Sequence, residues 1–226
     1  MLNAIIRGKM PSEIENSEDV LTSCVFGLPG YGSEDSYLVR LLSQARNLEG
    51  HQLIDSPSDW RIDWVRLWEW ICPVVGKRAQ PDAIVRMSSN KGQTIGLLVE
   101  CKLWSSKSSL DDGGALPNDQ LARELVALNS LPQLCEVSDV AFLYVTAHHQ
   151  FPVEEIGAAV SDLERCSTPE TRYGYDRAAI YWTNWQRLHG LLTEGRFWQT
   201  SHGKRIGDDL LTLLERLDLV SFRSFR

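Results

Sequence analysis

Pro81-Asp82, Ala83-Ile84-Val85-Arg86-Met87, Ser88-Ser89-Asn90-Lys91-Gly92, Ile95-Gly96-Leu97-Leu98-Val99 and Glu100-Cys101-Lys102 follow one another along a single stretch, and its reading decides the fold. The run from Ile95 to Val99 is apolar enough for a strand covered on both faces of a sheet. The run from Ala83 to Met87 alternates well enough for a second strand, and the segment between them is turn chemistry, because Asn and Gly tolerate positive φ. Together they predict a β-hairpin centred near Lys91. Asp82 and Glu100, with seventeen residues between them, are equidistant from that centre. Cross-strand partners hold their Cβ atoms about 5 Å apart, so the two acids are expected to face each other.

Glu100 and Lys102 are two apart on one strand, so both side chains leave the same face while Cys101 points to the other. Two carboxylates held that close repel unless something cationic lies between them, and a hard divalent ion with oxygen ligands is the usual answer. Magnesium fits best, with manganese as a substitute, because it keeps several waters and takes one or two carboxylates plus phosphate oxygens. Lys102 then stabilises phosphate charge or the attacking water.

Working outward, Glu18 to about Leu28 reads as a first helix, with Ser17 as N-cap and Pro29-Gly30 as its stop. Val65 to Ile71 reads as a first strand, with Trp60, Trp64 and Trp68 straddling a helix-to-strand change. After the hairpin, Asn118 or Asp119 caps a helix carrying Leu121, Leu125 and Leu128, and Val140 to Val145 is a buried strand. A helix from about Pro152 to Arg165, a strand from Ala178 to Trp182, a helix from near Asn184 and a C-terminal helix from Asp208 to Asp218 complete the reading. Alternation of this kind predicts an α/β sandwich with a mixed sheet flanked by helices. The leucine stripe of the last helix is expected to be core rather than a dimer contact.

Pro81-Asp82 with Glu100-Cys101-Lys102 resembles the PD-(D/E)XK signature of the restriction endonuclease-like nuclease superfamily, whose αβββαβ core the order of elements around it also matches. The resemblance covers roughly residues 13 to 192, and only Asp82, Glu100 and Lys102 are specific enough to carry function across. It implies hydrolysis of DNA that leaves a 5′-phosphate, with Asp82, Glu100 and the backbone carbonyl of Cys101 holding Mg2+. A further acid from the first helix is implied too. Among Glu13, Glu15 and Glu18, periodicity selects Glu18, which shares a stripe with Leu21, Val25 and Leu28. An acid placed there only for the helix dipole is the alternative. Gln120 resembles the family's glutamine on the helix after the third strand, although no tyrosine follows it. The stretches Ser17 to Gly27 and Tyr181 to Trp185 look like bacterial members found in defence, including phage defence, and on mobile elements.

The chain of 226 residues with 43% hydrophobic content is expected to form one domain, with a core over about 13–150 and an extension over 151–226. A net charge of −7 counts against a protein that coats DNA, since nonspecific affinity comes mainly from Lys and Arg. A locally basic groove remains open, because Arg61, Arg66, Lys77, Arg78, Arg86, Lys91 and Lys107 cluster around the motif in sequence. Lys77 and Arg78 are the phosphate-contact candidates and Trp104 the aromatic one. Five dispersed cysteines without CxxC spacing argue against zinc. No apolar run approaches 18 residues and no signal peptide is present, so a reduced, cytoplasmic protein that does not enter a membrane is expected. RNA as substrate, a homodimer, and a partner protein stay open. Two other readings stand beside the nuclease: a noncatalytic assembly subunit of the same fold, and an unrelated α/β enzyme.

Overall fold

A computed structural model describes residues 18–28, 36–74, 76–103, 107, 109–168, 179–195 and 200–221. Its helices are α1 (Glu18–Phe26), α2 (Ser36–Ser43), α3 (Gln120–Leu128), α4 (Leu131–Cys135), α5 (Val153–Cys166), α6 (Trp185–Glu194) and α7 (Ser201–Arg216). Its strands are β1 (Arg46–Asn47), β2 (Trp60–Leu67), β3 (Ala83–Ser89), β4 (Thr94–Cys101), β5 (Asp139–Thr146) and β6 (Ile180–Asn184). They form one open mixed sheet in the order β1-β6-β5-β4-β3-β2. β2, β3 and β4 pair antiparallel, β5 and β6 join parallel, and β1 closes the far edge antiparallel.

The alternation of side chains along β4 divides the core in two. Leu97, Val99 and Cys101 face a cluster built from α1, α2, α6 and α7. Leu98 faces the opposite cluster, made with Ile84, Phe142, Tyr144 and the inner stripes of α3 and α5. β4 is therefore covered on both faces, as its apolar composition requires, and the result is a sheet between two helical layers.

The hairpin has the register expected of it: Ala83 pairs with Val99 and Ser88 with Thr94, which centres the turn on Lys91. Gly92 takes φ 82°, the left-handed conformation that the turn needs. The helices expected from sequence appear in the expected order, with Asp119 rather than Asn118 as the N-cap of α3, while the short helix α4 was not expected. Leu210, Leu213 and Leu214 of α7 are fully buried in the core.

Four further features differ. The first long strand runs from Trp60 to Leu67, not from Val65 to Ile71, so Trp60 and Trp64 lie on one strand. Alternation persists past Leu67, but Trp68 adopts φ 52° and its N–H bonds Asp82 O at 3.1 Å, which turns the chain out of the ladder. Ile71 then keeps only an isolated bridge to Ala79. The last helix starts at Ser201, where Thr200 Oγ1 accepts from Gly203 N at 2.9 Å, a cap hidden by the glycines that follow. The helix α2 and the short strand β1 between α1 and β2 were not anticipated.

Candidate metal centre

The site forms where β3 begins and β4 ends. Asp82 immediately precedes β3, and one further step of the hairpin register places it opposite Glu100. Its carboxylate is 8% exposed and crosses to the neighbouring strand, where Oδ2 accepts the Cys101 N–H at 2.8 Å. Glu100 is 1% exposed and points to the α3 side of the sheet. Lys102 Nζ lies 2.7 Å from Glu100 Oε1, and the Gln120 side-chain amide donates to that same oxygen.

Glu18 comes from the other helical layer, round the C-terminal end of β4. Its Oε1 accepts from Lys102 Nζ at 2.9 Å and its Oε2 from the Leu103 N–H at 2.8 Å. The backbone that carries Lys102 is held on both sides. Its N–H donates to Val145 O at 2.7 Å and its carbonyl accepts the indole N–H of Trp185 at 3.1 Å.

Gln120 is oriented from below. Asp119 caps α3 by accepting from Leu121 N and Ala122 N, and Asp162 of α5 accepts from both Asn118 N and Asp119 N at 2.8 Å. The ammonium of Lys107 pairs with the second oxygen of Asp119. The side chain of Lys107, one of the basic residues around the motif, is 6% exposed and serves to fix the helix start.

Glu18, Asp82 and Glu100 each offer a carboxylate oxygen within 4.8 Å of the others, and among the described residues this trio is a group that could hold a metal ion. One lysine stands against these three carboxyl groups, so they cannot all ionise without a further cation. Burial pushes the Asp82 carboxyl up to about 8, and the Glu100 charge adds to the effect against the Cys101 N–H and Lys102. Burial likewise raises Glu100, more than the lysine beside it lowers it. Burial also works against the charge on Lys102, but Glu100 and Glu18 outweigh it and keep the ammonium protonated above its ordinary range. An oxygen-only, electron-rich and partly dehydrated set suits a hard divalent cation.

This arrangement fixes a pH response. Asp82 holds its proton up to about pH 8 in the ion-free fold and only to the ordinary carboxylate range when unfolded. The native state therefore binds more protons between those limits, and its stability falls as pH rises through that window. A cation must displace that proton, so ion affinity rises with pH over the same range, by about tenfold per unit for one proton released. Urea midpoints of ion-free protein between pH 5 and 8, beside Mn2+ titrations at the same values, should run in opposite directions, whereas parallel trends would contradict the assignment.

Of the residues singled out from sequence, Asp82, Glu100, Lys102 and Glu18 converge. Cys101 joins through its N–H, and its thiol is buried in the core. Gln120 touches Glu100, not the surface. Glu13, Glu15 and Trp104 lie outside the described residues. Lys77 and Arg78 stand apart from the cluster: Lys77 Nζ bonds Asn118 Oδ1 at 2.6 Å and lies 3.6 Å from Asp112, and Arg78 stacks 4.3 Å over the half-exposed Trp70 ring. Arg61, Arg66, Arg86, Lys91 and Lys107 each pair with a carboxylate as well. Sequence reasoning missed Glu124, which is 2% exposed on α3. Its signal was its place one turn after Gln120, on the inward side of the Leu121 and Leu125 stripe.

No family model matches the chain, and comparisons with curated proteins and with solved structures found no match. Among the described residues, no helix is long and apolar enough to cross a membrane.

Proposed function

We propose that this chain is a Mg2+-dependent nuclease of the PD-(D/E)XK kind, with a restriction endonuclease-like core, that hydrolyses phosphodiester bonds of DNA. The observation that carries the reading is the meeting of Asp82, Glu100, Lys102 and Glu18, drawn from three separate elements, at one buried point. A scaffold has no use for three carboxylates and a lysine converging there, because buried charge is costly to keep. The order of α1, β2, β3, β4, α3 and β5 agrees with the core that the resemblance implies.

Asp82 and Glu100, with the Cys101 carbonyl, would hold the ion and Glu18 would complete its acidic surround. The bound cation would supply Lewis-acid polarisation of the phosphate and lower the proton affinity of an attacking water. Lys102 has a role defined by its own charge. Held protonated by Glu100 and Glu18, it acts as a hydrogen-bond donor to a phosphate or water oxygen and not as a base. Gln120 fixes the Glu100 carboxylate through one oxygen and would so orient that group for binding a cation. Arg78, which stacks over the Trp70 ring and makes no ion pair among the described residues, stays a candidate for contact with a phosphate away from the metal site.

Purified protein incubated with supercoiled plasmid, linear duplex, single-stranded DNA and RNA, with Mg2+ or Mn2+ and with chelator, tests the reading. Cleavage of DNA is expected with metal and none with chelator; preference for RNA would move the substrate class. In parallel, Mn2+ at a hundredfold excess over its dissociation constant should stabilise the protein by about 2.7 kcal/mol, and Asp82→Ala should abolish the shift. Metal binding without cleavage of any substrate would turn the reading to a noncatalytic subunit of a larger nucleic-acid-processing assembly.

A further inference from the structure

Glu124 is not among the three carboxylates that lie within 4.8 Å of one another, yet it is nearly as buried as Glu100. It follows Gln120 by one helical turn, so both side chains leave α3 on the same side. The Gln120 amide nitrogen bridges the two acids, donating to Glu100 Oε1 and, at 3.4 Å, to Glu124 Oε1. The other oxygen of Glu124 is buried and is reached by no N–H or hydroxyl donor of the described residues, only by the neighbouring Glu100 carboxyl. A buried carboxylate oxygen without a donor is costly, and native structures seldom keep one without a reason. Its helix neighbours Leu121, Leu125 and Leu128 are apolar core.

A hydrated divalent ion supplies the missing donor. Magnesium and manganese ions retain several waters when bound by few carboxylates, and a water on an ion beside Glu100 presents O–H groups towards the neighbouring acid. Resting on the metal-site reading above, we infer that Glu124 is an outer-sphere acceptor for cation-bound water, held at its distance from Glu100 by the Gln120 amide. It is a positioning residue for the hydrated ion and not one of its direct ligands. Glu124 and the bridging amide thus stand behind Glu100 and favour a cation that still carries water.

The test is the Mn2+ dissociation constant, read from the electron paramagnetic resonance signal of free Mn2+, for the parent chain, Glu124→Gln, Glu124→Asp and Asp82→Ala. Glu124→Gln keeps the shape and is expected to weaken binding by about 10- to 100-fold, as loss of an outer-shell partner does. Glu124→Asp keeps the charge but withdraws it by one methylene, and an intermediate loss is expected; it carries the test if the glutamine variant fails to fold. An acid placed only for structure would move the melting temperature and leave the constant alone. Variants that fold and bind Mn2+ within twofold of the parent would overturn the inference. A parent chain that binds no Mn2+, or binds it equally well after Asp82→Ala, would instead overturn the metal site itself.

Discussion

Glu100→Ala should reduce DNA cleavage by about a thousandfold or more and remove Mn2+ binding, whereas Lys102→Ala should reduce cleavage by a similar factor and leave Mn2+ binding intact. The split follows from what each group does in the site. Glu100 is nearly fully buried, faces Asp82 and belongs to the trio of carboxylates, so its loss removes an oxygen ligand. Lys102 offers no ligand to a cation. Its ammonium lies between Glu18 Oε1 at 2.9 Å and Glu100 Oε1 at 2.7 Å and partly neutralises both. In the ion-free protein its removal leaves two carboxylates short of a counter-charge, and breaking a buried pair in this way typically costs about 3–5 kcal/mol. A divalent ion restores that charge. Lys102→Ala should therefore be the variant most stabilised by added Mn2+, with an affinity at least equal to that of the parent. Calorimetric titration and plasmid cleavage on the same preparations decide the matter; loss of Mn2+ binding in Lys102→Ala would show that the lysine builds the site and does not merely act in it.

The hairpin and its site were legible because two local signals agree with one long-range requirement. Asn90-Lys91-Gly92 set the turn, the apolar run from Ile95 set burial, and their joint register brought Asp82 opposite Glu100. Glu18 was legible through its stripe with Leu21 and Val25, which carries it to the lysine across 84 residues of sequence. The first long strand was misplaced for a reason that pattern alone does not reveal. Trp68 and Trp70 continue the alternation of β2, but Trp68, whose N–H still makes the in-register bond to Asp82 O, takes a left-handed φ of 52° that turns the chain away and ends the ladder there. Helix α2 carries Tyr37, Leu38, Leu41 and Leu42 as a buried stripe, so periodicity was present and simply not used. Glu124 and Lys107 were obscured differently. A charged residue is by default solvated, and only tertiary placement beside Glu100 or Asp119 shows that the side chains of these two are covered.

Trp185→Ala should be among the most destabilising single substitutions in the chain, at about 3–5 kcal/mol, and should disturb the site from the opposite face of the sheet. Trp185 opens α6 with no exposed surface and packs in the cluster shared with α1, α2 and α7. Removing the indole leaves a large cavity where helices and sheet meet, and it orphans the Lys102 carbonyl that its N–H satisfies at 3.1 Å. Against a typical total of about 5–15 kcal/mol, that loss takes a large part of the stability. Trp185→Phe separates the two contributions, since it keeps most of the bulk and removes only the donor, at about 1 kcal/mol for the bond. If the indole positions the lysine as well as filling the core, Trp185→Phe should lower kcat beyond any loss of folded protein while Mn2+ affinity holds. Urea unfolding together with cleavage kinetics measures both quantities. A Trp185→Phe variant with the parent's kcat would confine the residue to packing, because the carbonyl bond would then have no bearing on where the ammonium sits.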